Sequence, residues 1–415
     1  MHFLMTSVGS SGDVHPYIGI GRELRARGHA VTLLAADPHR GAIERAGLAF
    51  ASIWSEADYH AVTEHPDLWH PRRGLTKVLE IATAGLEPLW RELEARFVPG
   101  QTMIVGHPLA FGARAFEEKF RVPALTIHLA PGSIRTAHQV PALPPGVDIS
   151  ALPHRLKRAM WWLVDRATID PQIVPKLNRW RAGHDLPPVH RIFQSWLNSP
   201  QGVIGLFPPW FGPRQPDWPA QFHAASFPLW DDVEPPAPDP ELESFLGAGS
   251  PPIVFSPGSA NRQAAAFFAA AAGAVTKLGA RGLFLTGYPE QLPPDLPATI
   301  LHRHYVPFSK VLPRAAAFVH HGGIGSTAQG LAAGIPQLMM PMGFDQPDNA
   351  LRIQRLDTGT WLSPRRFTTT TVARRLDALL GNAEVASTAR RLRDRLREEN
   401  GIATAADIIE RHARA

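Results

Sequence analysis

Short runs of consecutive apolar residues recur along the chain. Each is followed by a glycine-bearing loop and then by apolar positions at helical spacing. Residues 3–8 form the first run, and Gly9, Ser10, Ser11, Gly12 and Asp13 make the loop after it. Tyr17, Ile20, Gly21 and Leu24 then fall on one helical face, with Pro16 at the expected helix start and Gly28 as its stop. Residues 30–35 are the next apolar run. Strand, loop, helix and strand in that order open a doubly wound parallel sheet. Similar runs at 103–105 and 124–128 are short and almost wholly apolar, as buried parallel strands are.

From about residue 141 to 230 the pattern changes to Trp, Pro and Arg with poor strand periodicity. Residues 155–166, RLKRAMWWLVDR, read as a basic, aromatic, amphipathic helix. Such a helix either packs on the first domain or presents an apolar acceptor wall or a membrane-facing surface. The proline-rich stretch from Glu234 to Pro240 reads as a linker. The strand–loop–helix pattern restarts after it. Residues 252–256 predict a strand, Gly258 and Ser259 a loop, and 263–278 an alanine-rich helix that Gly279 ends. Further strands are predicted at 282–286, 316–320 and 337–340, and arginine-rich helices follow Val372. The expected organisation is an N-terminal domain over 1–233, a linker over 234–243 and a second domain over 244–395. The last segment, 396–415, is expected to pack back on the first domain.

Composition narrows the function classes. The 415 residues suit two domains of roughly 200 residues each. The net charge of +5 is small for that length, and no basic run stands out, so a nucleic-acid partner is not expected. There is no cysteine, which removes disulfides, thiolate metal sites and cysteine nucleophiles. The first residues lack the basic and long apolar segments of a signal peptide. No stretch reaches the roughly 18 apolar residues of a membrane span. A cytoplasmic location is expected, with peripheral contact at the inner membrane face as an addition to it.

The richest chemistry lies in FVHHGGIGSTAQG, residues 318–330. An apolar strand runs into a glycine turn and then into a helix start near Ser326. Unpaired N–H groups and the helix dipole make such a junction an anion site. Gly323 and Gly325 keep side chains away from a diphosphate. Ser326 and Thr327 offer hydroxyls, and His321 offers a ring N–H. Asp345 and Gln346 follow the next strand, at the carboxyl edge where open sheets bind ligands. A carboxylate beside an amide suits paired sugar hydroxyls, and Asn349 is spaced to reach back to the same region.

These residues resemble the signature of the GT-B glycosyltransferases of the plant and bacterial secondary-metabolite type, over the span Tyr305 to Asn349. The resemblance implies an α/β chain of two Rossmann-like, doubly wound domains facing a central cleft. It implies that Tyr305 stacks on the nucleobase and Val306 bonds it through the backbone. By the same resemblance His321 and Ser326 hold the diphosphate, Asp345 and Gln346 hold the sugar, and Gly258 and Ser259 lie near the β-phosphate. The chain departs from the plant pattern at Tyr305, where a Trp is usual, and at Phe308, where a Gln is usual. A nucleotide sugar linked to dTDP or UDP is then the co-substrate, with no metal and no other cofactor.

The first loop, GSSGDVHP over residues 9–16, has the wrong glycine spacing for a dinucleotide fingerprint, and Asp13 and His15 would crowd a pyrophosphate. A sugar acceptor hydroxyl must lose its proton as it attacks, and a base on this loop is suited to take it. The family resemblance puts that base at Asp13, with His15 as its rival or orienting partner. Asp13 as a plain helix cap is the structural alternative. One in-line displacement then inverts the anomeric centre.

The wider match is similar to the bacterial branch of rhamnolipid rhamnosyltransferases, through stretches such as Arg191 to Trp196, Ser199 to Gly202 and Phe207 to Trp218. That likeness implies dTDP-rhamnose as donor and a β-hydroxyalkanoyl lipid as hydrophobic acceptor. Transfer from UDP-glucose to a sterol, polyketide or other apolar aglycone is the alternative. A non-catalytic nucleotide-sugar-binding subunit, and a nicotinamide oxidoreductase using Asp37 for a ribose, are the readings from other classes.

Overall fold

A computed structural model describes residues 1–70, 73–139, 149, 151–231, 239–259 and 261–414, without the side chains of Pro66 and Ser195. The chain divides into two compact units. The first comprises residues 1–9, 13–230 and 400–415, and the second comprises 10–12 and 231–399.

The first unit is built on seven parallel strands: β1 (His2–Thr6), β2 (Ala30–Ala36), β3 (Ala49–Trp54), β4 (Thr102–Gly106), β5 (Ala124–His128), β6 (Val203–Gly205) and β7 (Phe222–Ala224). Their order is β3-β2-β1-β4-β5-β6-β7, with His2 opposite both Ala30 and Thr102. The chain winds outward in one direction from β1 and in the other from β4, so the switch point lies between those two strands. Strand β4 is buried at every position, which explains why it reads as a run rather than an alternation. Leu4, Leu34, Ile104 and Phe116 belong to one buried core with Leu89 and Trp90. The final helix, Gly401–Ala413, packs in this unit. Ile402 lies against Gly19, and Glu410 bonds the ring of His29 at 2.7 Å.

The second unit has six parallel strands: β8 (Ile253–Ser256), β9 (Gly282–Leu285), β10 (Ile300–Arg303), β11 (Ala317–His320), β12 (Gln337–Met339) and β13 (Gly359–Trp361). Their order is β10-β9-β8-β11-β12-β13, which sets a second switch point between β8 and β11. Apolar side chains cover both faces of the sheet. Phe255, Phe284 and Val319 enter one core, while Val254, Leu283 and Phe318 enter the other. The alanine-rich stretch forms the helix Ala265–Leu278, closed by Gly279 in the left-handed conformation at φ 58°.

The fold class read from the sequence holds: each unit is a doubly wound parallel α/β sheet. Several boundaries move. The first helix runs Ser11–Ala26, so Pro16 lies inside it rather than at its start. The second glycine-loop helix begins at Ile324, two residues before Ser326. Residues 234–238 of the expected linker lie outside the described residues, and Pro240–Gly247 is a helix. The return to the first unit falls at Asn400.

Candidate functional site

In the second unit, two loops meet at the switch point because β8 and β11 are paired neighbours. Gly258 follows β8 with φ 99°, and a Cβ there would stand 2.8 Å from the His321 ring. A Cβ on Gly323 would stand 2.6 Å from His321 Nε2. The imidazole therefore fits only because both neighbours are glycine. Burial lowers His321 to about 4, so it is neutral at pH 7 and presents one N–H and one lone pair. Its Nδ1 is buried and makes no hydrogen bond to protein. Such orphaned atoms are rare in native interiors and point to a ligand or water.

The loop after β11 is held from beneath. His320 Nδ1 accepts from the Gly322 N–H at 3.1 Å, which leaves its Nε2 proton for Gln337 Oε1 at 2.9 Å. Asn349 Nδ2 donates to the Gly322 carbonyl at 3.0 Å and to Asp345 Oδ2 at 2.7 Å. With Gly322 bonded on both sides, the loop is fixed before the helix Ile324–Ala333 begins. Gly323 is that helix's N-cap and supplies no side chain, and no acid stands in the first turn. The first-turn N–H groups have no intrahelical carbonyl, so this junction can take an anion.

The donor residues expected from the sequence do not all fare alike. Gly258, His321 and Gly323 come together, Ser259 is exposed beside Gly258, and Gly325 and Ser326 are part-exposed in the first turn. Tyr305 is 42% exposed and follows β10, while the side chain of Val306 is buried. Asp345 is part-exposed at the N-cap of the helix Gln346–Arg355. Thr327 is a correction. It is fully buried, and its hydroxyl donates to the Gly323 carbonyl at 2.9 Å, so it supports the loop instead of facing a phosphate. Gln346 is buried, and its Oε1 accepts from the Met342 N–H at 2.8 Å, leaving only its amide NH₂ for a sugar. Asn349 does reach back, but to the loop backbone, with its Oδ1 left without a protein partner.

In the first unit the loop after β1 is tighter. Gly9 has φ 140°, and a Cβ there would stand 2.2 Å from Asp13 Oδ2. The carboxylate thus lies directly against the Gly9 backbone. His39 Nε2 donates to the Gly9 carbonyl at 3.3 Å, and Ser7 Oγ donates to the Asp13 carbonyl at 2.9 Å. Asp13 stands in the first turn of the helix Ser11–Ala26, where the dipole favours a carboxylate, and not on a free loop. His15 is packed edge-on to Trp230, with ring centroids 4.9 Å apart. His15 stands two residues beyond Asp13 in the same helix, and its part as rival base or orienting partner is a matter for the mechanism proposed below. Asp37, proposed for a ribose, is in an ion pair with Arg40 at 2.9 Å.

Three features escaped the sequence reading. Tyr17, one turn beyond Asp13, is fully buried with no partner for its hydroxyl; burial and then the Asp13 charge hold its pKa well above the usual value. Its ring is 6.5 Å from that of His107, which follows β4. Burial lowers His107 to about 3, so it is neutral. Phe344, next to Asp345, is 50% exposed with φ 58°, a strained conformation of the kind that clusters at functional sites. Helical spacing put Tyr17 in sequence reach of Asp13; nothing in the sequence marked Phe344. Beside the first loop, Val8 shares a small apolar recess with Trp54, Ile81, Leu89, Leu109 and Phe111.

Comparison with known proteins bears on both units. Residues 3–136 match the glycosyltransferase family 28 N-terminal domain. Residues 289–409 match the erythromycin biosynthesis protein CIII-like C-terminal domain. The chain is 30% identical over 425 residues to O-mycaminosyltylonolide 6-deoxyallosyltransferase of Streptomyces fradiae, covering 100% of this chain and 98% of the relative. Among solved structures, the glycotransferase of kitacinnamycin superposes with a TM-score of 0.75 at 22% identity, covering 99% of each chain. The spinosyn rhamnosyltransferase SpnG complexed with thymidine diphosphate gives 0.69 at 18% identity, covering 99% of this chain and 100% of that one.

Proposed function

The chain belongs to the GT-B glycosyltransferases that join a family 28 N-terminal domain to an erythromycin CIII-like C-terminal domain, and from that premise we propose that it moves a 6-deoxyhexose such as rhamnose from a thymidine diphosphate donor to a hydroxyl of an apolar acceptor. The observation that carries the reading is the contrast between the two glycine loops. One offers a carboxylate braced against Gly9, and the other offers a helix start without acids beside a buried, unpartnered ring nitrogen.

In this mechanism Asp13 takes the acceptor hydroxyl proton as the oxygen attacks the anomeric carbon. The new C–O bond forms on the face opposite the breaking bond to the diphosphate, so the configuration inverts. Charge builds on the departing diphosphate. The N–H groups at the start of the helix Ile324–Ala333, the Ser326 hydroxyl and the His321 ring stabilise it. Asp345 and the Gln346 amide meet the sugar, and Tyr305 stacks on the base. No metal enters any step. The deoxyallosyl relative supports a 6-deoxy sugar, and the rhamnosyltransferase structure with thymidine diphosphate supports a thymidine donor. The tylosin-type relative favours a polyketide macrolactone as acceptor, with a hydroxyacyl lipid as the second acceptor class.

Purified full chain incubated with dTDP-rhamnose or UDP-glucose, each with macrolactone and hydroxyacyl acceptors, tests this by mass spectrometry. Transfer from the thymidine donor is the expected product. Transfer from UDP-glucose alone overturns the donor assignment, and donor binding without transfer or hydrolysis of any donor overturns the catalytic reading.

A further inference from the structure

The helix His154–Val164 is built the wrong way round for a helix that serves only a core. A surface helix ordinarily turns its apolar stripe inward and its charges outward. Here the inward side carries Lys157, which is 2% exposed, and continues to Asp165, which is fully buried. Trp161 lies between them and donates its Nε1 proton to the Thr136 carbonyl at 3.1 Å. Arg135 pairs with Asp165 and lies 5.0 Å over the Trp161 ring. The helix is thus anchored through polar and cation–π contacts.

The outward side is apolar. Leu156, Ala159, Met160 and Leu163 follow one stripe at spacings of three and four. Leu156 is 47% exposed and Leu163 is 58% exposed, with Val164 at 37% beside them. Along one edge of that stripe run Arg155, Arg158 and Trp162, all exposed, and Arg166 lies 6.0 Å over the Trp162 ring. Between His154 and Thr168 the only acidic residue is the buried Asp165, so the exposed edge is wholly basic.

We propose that this face docks the protein on an anionic lipid surface. An apolar stripe laid into the headgroup boundary, a tryptophan at its margin and arginines on the flank are what an interfacial helix requires. Each basic side chain near an anionic leaflet adds about 1 kcal/mol. A second copy of the chain is a poorer occupant. A two-fold contact through the same helix would bring two arginine edges together with no carboxylate between them. No helix among the described residues is long and apolar enough to cross a membrane, so the contact is peripheral. The inference stands apart from the donor-sugar assignment, since no residue of this face belongs to the two glycine loops.

The test is co-sedimentation of the full chain with vesicles of phosphatidylcholine alone and of phosphatidylcholine with phosphatidylglycerol, at low and high salt. Binding to the anionic vesicles that salt weakens is expected. The triple variant R155Q/R158Q/R166Q is expected to lose about a hundredfold in that binding. The double variant L156E/L163E is expected to lose at least tenfold on the same vesicles. Circular dichroism and melting confirm that both variants fold. A parent chain that stays in the supernatant at low salt overturns the proposal, as does L156E/L163E binding like the parent. A dimer in solution that Leu163→Glu dissolves assigns the face to a second copy and overturns it too.

Discussion

The loops after β1 and after β11 share one plan and differ in one charge. Each leaves a parallel strand beside a switch point, turns on glycines and enters a helix. In the first, Asp13 occupies the opening turn of its helix; in the second, the opening turn holds Ile324, Gly325 and Ser326. An acid at a helix start occupies the positive end of the dipole and repels a diphosphate, while a bare start invites one. The bracing differs in the same sense. Gly9 is pressed onto a carboxylate, whereas Gly258 and Gly323 make room for a neutral imidazole. In the mechanism we propose, one architecture thus serves as a proton acceptor in one unit and as an anion cradle in the other.

The sharpest way to break this comparison is to neutralise the acid. Asp13→Asn is expected to lower turnover by about 10²–10⁴, measured as product formed per enzyme at saturating donor. Gly9→Ala leaves the acid in place but puts a methyl 2.2 Å from its Oδ2, so the carboxylate must move. Turnover is expected to fall about a hundredfold, the usual cost of misplacing a reacting group by an ångström. A Gly9→Ala enzyme that works normally would separate Asp13's position from its function.

The cradle can be sharpened by comparing neighbours. Ser326→Ala is expected to weaken thymidine diphosphate binding about tenfold or more, because a hydrogen bond to a charged group is lost. Thr327→Val, whose hydroxyl is turned back to Gly323, is expected to cost about 1 kcal/mol in thermal stability with little change in that affinity. Calorimetric titration and melting read the two effects separately.

Acid should affect the two units alike, since each ends a central strand in a buried histidine. Burial lowers His128 to about 4 and His320 to about 3, against about 6.5 in an unfolded chain. The unfolded state therefore binds more protons between those values. Stability is predicted to fall as pH drops below about 6.5 and to be flat with respect to these groups above it. Melting temperatures across pH 4–8 check the sign.

Much of this was legible in the sequence where burial wrote a continuous run. Strands β1, β2, β5, β8 and β11 are four to seven apolar-rich residues and were readable at once. Strands β6, β7 and β13 are three residues each, too short for any period to register, and the equally short β12 was readable only within the longer run at 337–340. Pro16 misled because proline usually opens a helix, yet here the helix forms from Ser11 and lacks the bond from Pro16 to the Gly12 carbonyl. That shift matters, for it moves Asp13 from a loop into the first turn of a helix. The direction of Thr327 and Gln346 was also hidden. Residue type says that a hydroxyl or amide is available, but only packing decides whether it faces a ligand or braces its own loop. The inverted helix at His154–Val164 was readable as amphipathic, while which side faced inward depended on where Arg135 and Thr136 lay.

Titration of thymidine diphosphate into the parent, Asp13→Asn and His321→Ala tests the division of labour most directly. Affinity is predicted to be unchanged in Asp13→Asn and about tenfold to a hundredfold weaker in His321→Ala, as for a lost hydrogen bond to a charged group. Equal affinity of His321→Ala and the parent, or a marked loss on Asp13→Asn, would contradict the assignment of base and cradle to separate loops.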